Sequence, residues 1–175
     1  MISYFDKKKE VFFDFIKNGK IVPFYQISRF EYSIFIAIND ENPTLPTGWR
    51  EVYRYEDFFM QVGDLQKVCL ASFSYLEYHL AGIKKNITDR FSVIPTGAEG
   101  VLEEYHSARG FDLPKGNYYF DLIGLEKIEK GKRESKNYGF AFVFRSEENA
   151  VNHNFTKCNN ADNQYKFDIV SHLKK

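Results

Sequence analysis

Cysteine, tryptophan and proline are all scarce in this chain of 175 residues, which has two, one and five of them. Two cysteines, Cys69 and Cys158, cannot build a disulfide scaffold. Cys69 sits in the apolar run Val68-Cys69-Leu70-Ala71, where a free thiol packs as a small hydrophobe, so a reducing cytoplasm is the expected setting. Long apolar runs are missing too. Nothing approaches the roughly 18 residues of a membrane-crossing helix, and no apolar stretch of signal length follows Lys7-Lys8-Lys9, so neither export nor a membrane partner is expected. Net charge is also absent, with 24 basic residues against 24 acidic ones, and this removes the global positive field that would hold a protein on nucleic acid directly.

What is abundant is aromatic surface. Aromatic residues make up 18% of the chain, and hydrophobic residues 43% against 27% charged, a composition that folds and leans toward strands and protein interfaces. The length suits one domain, residues 1–175, with a helix over 1–19 and a β domain over 20–175. Charge is unevenly spread along it. Residues 40–126 carry 8 basic and 14 acidic groups, net −6, between flanks of net +2 and +4.

Local pattern supplies the elements. Val11, Phe12, Phe15 and Ile16 recur at helical spacing within residues 3–18, and Asn18-Gly19 ends that helix. Strands are predicted over residues 21–27, 32–38, 49–55, 68–80, 87–94, 118–128 and 138–145, and a final one over 164–173 with Tyr165, Phe167 and Ile169 on one face. Residues 55–62 and 100–106 read equally as strand or as helical turn. Pro95-Thr96-Gly97 closes one strand, and Leu113-Pro114-Lys115-Gly116 makes a turn between two others. The fold class these add up to is mainly β: an antiparallel β-sandwich or barrel-like domain with a short N-terminal helix.

Chemistry is harder to find. His79, His106, His153 and His172 stand far apart, and none belongs to a His-x-His, His-Glu-x-x-His or Cys-x-x-Cys spacing. Convergence of His79, His106 and Glu104 across a sheet is the one catalytic assembly to weigh, and scattered histidines are more often plain surface or core residues. Asp112, Asp121 and Glu103-Glu104 lack calcium-loop spacing and read as solvated charge. Gly97-Ala98-Glu99-Gly100 has no Gly-Lys-Ser/Thr and reads as a hairpin connection. Asn154-Phe155-Thr156 matches a glycosylation acceptor by chance. No catalytic residue, metal ligand or cofactor is therefore assigned. Trp49 is a core residue or a partner's anchor. Tyr53-Arg54-Tyr55-Glu56-Asp57-Phe58-Phe59 mixes rings and charges as a recognition surface does, and as a strand with one wet face also does.

The stretch Gly110-Phe111-Asp112-Leu113-Pro114-Lys115-Gly116-Asn117-Tyr118 resembles a segment of the competence protein J family, bacterial inhibitors of a DNA-entry nuclease. Tyr32-Ser33-Ile34-Phe35, Trp49 after a proline-bearing loop, and residues 68–73 fall in a compatible order, so the likeness runs from about residue 25 to residue 126. The chain departs from that family in its N-terminal helix, in residues 80–100 and in some 45 further C-terminal residues. The resemblance implies inhibition of a nuclease or related toxin by binding it, as immunity proteins do. The acidic centre fits such a partner, since it would steer toward a basic cleft. On this reading Glu51, Tyr53, Tyr55, Glu56 and Asp57 are the partner-binding residues; the alternative is an enzyme or small-ligand-binding β domain whose site assembles only in three dimensions.

Overall fold

In the computed structural model, residues 9–24, 27–28, 31–39, 43–71, 90–96, 101–131, 136–149 and 165–174 are described. Helix α1 spans Lys9–Lys17. Its end is set by Gly19 at φ +66, a left-handed position that glycine takes without a Cβ penalty. Gly19 N–H donates to Ile16 O at 3.0 Å and Lys20 N–H to Phe15 O at 2.8 Å, which satisfies the last carbonyls of the helix.

The branched and aromatic runs become seven strands among the described residues: β1 (Ser33–Ile38), β2 (Trp49–Val62), β3 (Lys67–Ala71), β4 (Arg90–Thr96), β5 (Val101–Asp112), β6 (Gly116–Lys127) and β7 (Tyr138–Ser146). The protein is mainly β with a short N-terminal helix, as the composition predicts. The chain groups into two compact units, one of Met1–Phe12 and Val62–Lys115, the other of Phe13–Gln61 and Gly116–Lys175.

The first unit holds a three-stranded sheet in the order β3-β5-β4, antiparallel throughout. A turn closed by Gln66 N–H to Gly63 O leads into β3, and Leu113 N–H donates to Gln66 O as β5 ends. Leu113, in the Leu-Pro turn, is buried. Lys115 reaches Asp64 at 2.5 Å and Lys67 reaches Asp112 at 3.5 Å, both as exposed ion pairs. β4 continues through Pro95 to Thr96 instead of closing there; among the described residues β4 lies at an edge of this sheet, where a residue without an N–H costs no ladder bond. Of residues 100–106, read equally as strand or helical turn, 101–106 are strand in β5 and 100 lies outside the described residues. Of the long strand expected over 68–80, residues 67–71 are strand and 72–80 lie outside the described residues, as do 87–89.

The second unit holds a four-stranded sheet in the order β1-β7-β6-β2. β6 and β7 form its antiparallel middle. Their side chains are buried on both faces, with Ile123, Leu125, Ala141 and Val143 on one and Phe120, Phe142 and Phe144 on the other. A strand buried on both sides reads as a continuous apolar run, which is why residues 118–128 and 138–145 stand out in the sequence. Phe35, Ala37, Leu45 and Trp49 pack onto the first face. Trp49 meets Phe35 edge to face at 5.3 Å and carries Lys127 Nζ over its ring at 5.4 Å, so it is a half-buried packing residue. The second face is aromatic, with Phe24 and Phe58 joining Phe120 and Phe142.

Three expectations are corrected here. β1 pairs with β7 in parallel, not antiparallel, with Ser33 opposite Gly139 and Ile38 opposite Phe144. Residues 21–24 and 27 belong to no strand; Pro23 within that run has no N–H to give a ladder, and Gly19 O instead takes Gln61 N–H. The final strand over 164–173 is not formed either. Residues 165–168 join no ladder, and Ile169–Leu173 is helix α2, opened by Asp168 in extended geometry. Phe167 and Ile169 are both buried, so the alternation reports burial without strand pairing.

Candidate functional site

The five residues expected at an interface all lie on β2, at the edge of the four-stranded sheet, and the structure divides them. Tyr53 is 8% exposed, a core residue, which removes it as an anchor offered to a partner. Its hydroxyl donates to Phe167 O at 2.6 Å, and its ring stacks near His172 at 4.5 Å. Burial first, then neighbouring Tyr55, raise the Tyr53 phenol well above its ordinary value, so it stays neutral and donating. A Cβ on Gly124 of β6 would collide with the Tyr53 ring, so the ring lies flat on a position only glycine can leave open. Tyr55 is half-buried, with its hydroxyl donating to Lys166 O at 3.1 Å and its ring against Tyr165 at 4.8 Å. Both tyrosines thus clamp the segment 165–168 to the sheet.

The carboxylates take another route. β2 changes phase at Asp57, which adopts φ +66, a left-handed conformation that aspartate tolerates better than most residues. Because of that break Phe58 packs against Phe167, as Tyr55 does from three positions earlier. Asp57 is half-buried, and its N–H donates to Asp121 Oδ1 at 3.3 Å. Asp121 on β6 is itself buried and is held by Arg145 of β7 through two hydrogen bonds, at 3.0 and 2.6 Å. Asp121 lies opposite Val143 in the ladder, so Arg145, two residues on, reaches it diagonally. Arg54 touches Asp121 at 3.4 Å and binds Glu51 at 2.8 Å. The hydrogen bond to Asp121 raises the Arg145 pKa, and the one to Glu51 raises that of Arg54, so both cations are fixed as charges. Glu56 is exposed beside them.

Among the described residues, four carboxylates, Glu51, Glu56, Asp57 and Asp121, therefore gather about two guanidiniums, Arg54 and Arg145. Sequence reading missed the two arginines and the role of Asp121. Asp121, expected as solvated charge, is instead buried, with both of its oxygens hydrogen-bonded by arginine. The only signal in sequence was an aspartate inside the apolar run Tyr118-Tyr119-Phe120-Asp121-Leu122-Ile123, where a buried carboxylate demands a cation. Its partner, 24 residues on, is fixed only by the ladder.

A second charged group lies at the other end of β2. Glu126 is fully buried and accepts from Arg50 at 3.0 Å (Nε), while Lys130 Nζ sits at 2.6 Å. Burial pushes the Glu126 carboxyl up, but the hydrogen bonds from Lys130 and Arg50 outweigh it and hold it below the ordinary range. Nearby, an open recess of about 410 Å³ is lined by Thr47, Gly48, Trp49, Lys127, Ile128 and Glu129. Among the described residues no three of His, Cys, Asp or Glu converge to hold a metal. His79, His153 and the side chains of Glu103, Glu104 and His106 lie outside the described residues, as does the loop 97–100. No helix among the described residues is long and apolar enough to cross a membrane. No protein-family model, curated protein or solved structure matches this chain.

Proposed function

We propose that this chain is a protein-binding inhibitor of the immunity type, acting in the cytoplasm, which neutralises a nuclease or related toxin by masking its basic, nucleic-acid-binding site. The observation that carries this reading is the acidic cluster on edge strand β2. Its carboxylates are set in a frame by Asp121 and Arg145, and Glu56 stands at the surface. Carboxylates held in place can stand in for phosphates before a cationic cleft, and acidic charge at the surface speeds encounter with it. The resemblance at Gly110–Tyr118 implies the same class of partner. Glu51, Glu56 and Asp57 are the contact residues on this reading. Tyr53 and Tyr55 support them from beneath, since their rings are engaged with residues 165–172.

The test begins with the partner captured from the source cells and identified, then assayed for nucleic-acid cleavage with and without this chain. Inhibition is expected, and Glu56→Lys should slow association severalfold at low salt and less as the Debye length shrinks below about 10 Å. Asp57 is left untouched in this experiment because its left-handed backbone and its place beside Arg145 couple it to folding. A captured partner whose activity this chain leaves unaltered, or one bound by Glu56→Lys at an undiminished rate, would overturn the proposal.

A further inference from the structure

The opposite edge of the same sheet carries no charge at all. β1 reads Ser33-Ile34-Phe35-Ile36-Ala37-Ile38, and among the described residues β7 is the one strand bonded to it. Edge strands are ordinarily blunted by lysine, proline or a bulge, because their free N–H and C=O groups invite another strand. Here the side chains do the reverse. Ile34, Ile36 and Ile38 point to one face and are 44%, 37% and 42% exposed.

We infer that β1 is a self-association edge, at which a second copy of this chain adds its own β1 antiparallel about a two-fold axis through Ile36. The choice of a second copy rests on the strand's complementarity to itself. In an antiparallel pair, residues directly opposite share a face. With Ile36 opposite Ile36 of the second copy, Ile34 falls opposite Ile38, and all six exposed isoleucines form one apolar strip. On the other face large Phe35 falls opposite small Ala37, so the two copies interlock without a ring meeting a ring. No like charges are brought together, since the strand has none.

The ends of the strand fit the same axis. Ser33 falls opposite Asn39, which leaves the strand at φ +50, donating its N–H to Phe144 O at 2.7 Å and accepting Ser146 N–H at 2.9 Å through its side chain. The ladder is thus bounded by a polar residue at each end, with Ile36 at its centre. A strand this short buries less than the roughly 1,200 Å² at which specific complexes become stable, so the dimer is a weak one that forms as concentration rises. The inference is independent of the inhibitor proposal, which uses the β2 edge.

Sedimentation of the full chain over a concentration series tests it first, together with cysteine variants that read the register. The average mass should climb from one chain toward two, and Ile36→Lys should hold it at one while leaving the circular dichroism unchanged. Under mild oxidation Ile36→Cys should form a disulfide-linked dimer at least about tenfold faster than Ile34→Cys, since two copies of residue 34 would stand about 13 Å apart, beyond the roughly 7 Å a disulfide spans. Mixing Ile34→Cys with Ile38→Cys should restore linkage. The wild-type chain, with Cys69 and Cys158, sets the background. A monomer at every concentration, a dimer that persists in Ile36→Lys, or equal linkage by Ile34→Cys and Ile36→Cys would each overturn the inference. A monomer whose β1 instead accepts an extended peptide of another protein would do so as well.

Discussion

The two edges of the four-stranded sheet are built on opposite principles. β2 is long, broken in phase at Asp57, laced with ion pairs and locked to residues 165–172 through Tyr53 and Tyr55. β1 is short, regular, uncharged and open on its isoleucine face. A charged edge that is broken in phase resists unplanned strand pairing, whereas a regular apolar one permits it. An edge strand's side chains and backbone angles, more than its place in the sheet, decide whether it can recruit a strand or only present charge.

The comparison breaks first at the buried charge beneath β2. Asp121→Ala would leave Arg145 with its anchor gone and Arg54 with one partner fewer, both partly buried. A loss of about 3–5 kcal/mol in denaturant unfolding is expected, because removing one member of a buried pair strands the other charge. A loss under about 1 kcal/mol would mean that the cluster is solvated and does not hold the edge.

Removing a single hydroxyl probes the clamp on residues 165–172. Tyr53→Phe keeps the ring against Gly124 and takes away the donor to Phe167 O, in a buried setting. About 1–2 kcal/mol should be lost in chemical denaturation, the cost of an unsatisfied buried carbonyl. An unchanged midpoint would show that the carbonyl finds another partner.

Acid supplies a third lever, at the Glu126 end of β2. The folded state holds this carboxyl below its ordinary value, so its contribution to stability is complete above roughly pH 4.3, the unfolded value, and is lost as pH falls through the lower folded one. Melting temperatures followed from neutral pH into that window should drop more steeply for the wild type than for Glu126→Gln, which has no carboxyl to protonate. Parallel curves would place the acid sensitivity elsewhere.

The smallest effect belongs to the open edge. Ile36→Thr keeps a branched strand former at an exposed position, so monomer stability should stay within about 0.5 kcal/mol in dilute denaturant titrations. A larger loss would mean that the isoleucine face is covered within the monomer, and the contrast between the edges would disappear.

Local sequence was enough for what depends on neighbours a few residues away. Branched and aromatic runs located β1, β6 and β7, and Asn18-Gly19 marked the end of α1, because strand propensity and a left-handed cap act over short range. The acidic candidates Glu51, Glu56 and Asp57 were legible as charge on an aromatic strand. Tertiary structure alone decided the rest. Whether β1 runs parallel or antiparallel depends on a partner about 100 residues away, which leaves no trace in the strand itself. The phase break at Asp57 hid the alternation of β2 behind two incompatible registers. Tyr165, Phe167 and Ile169 alternate as a strand would, yet burying them against the sheet of the second unit satisfies the same apolar pattern without a ladder, and α2 takes the chain onward. Burial, not hydrogen bonding, is what hydrophobic periodicity records, so packing between distant segments settled which form that burial took.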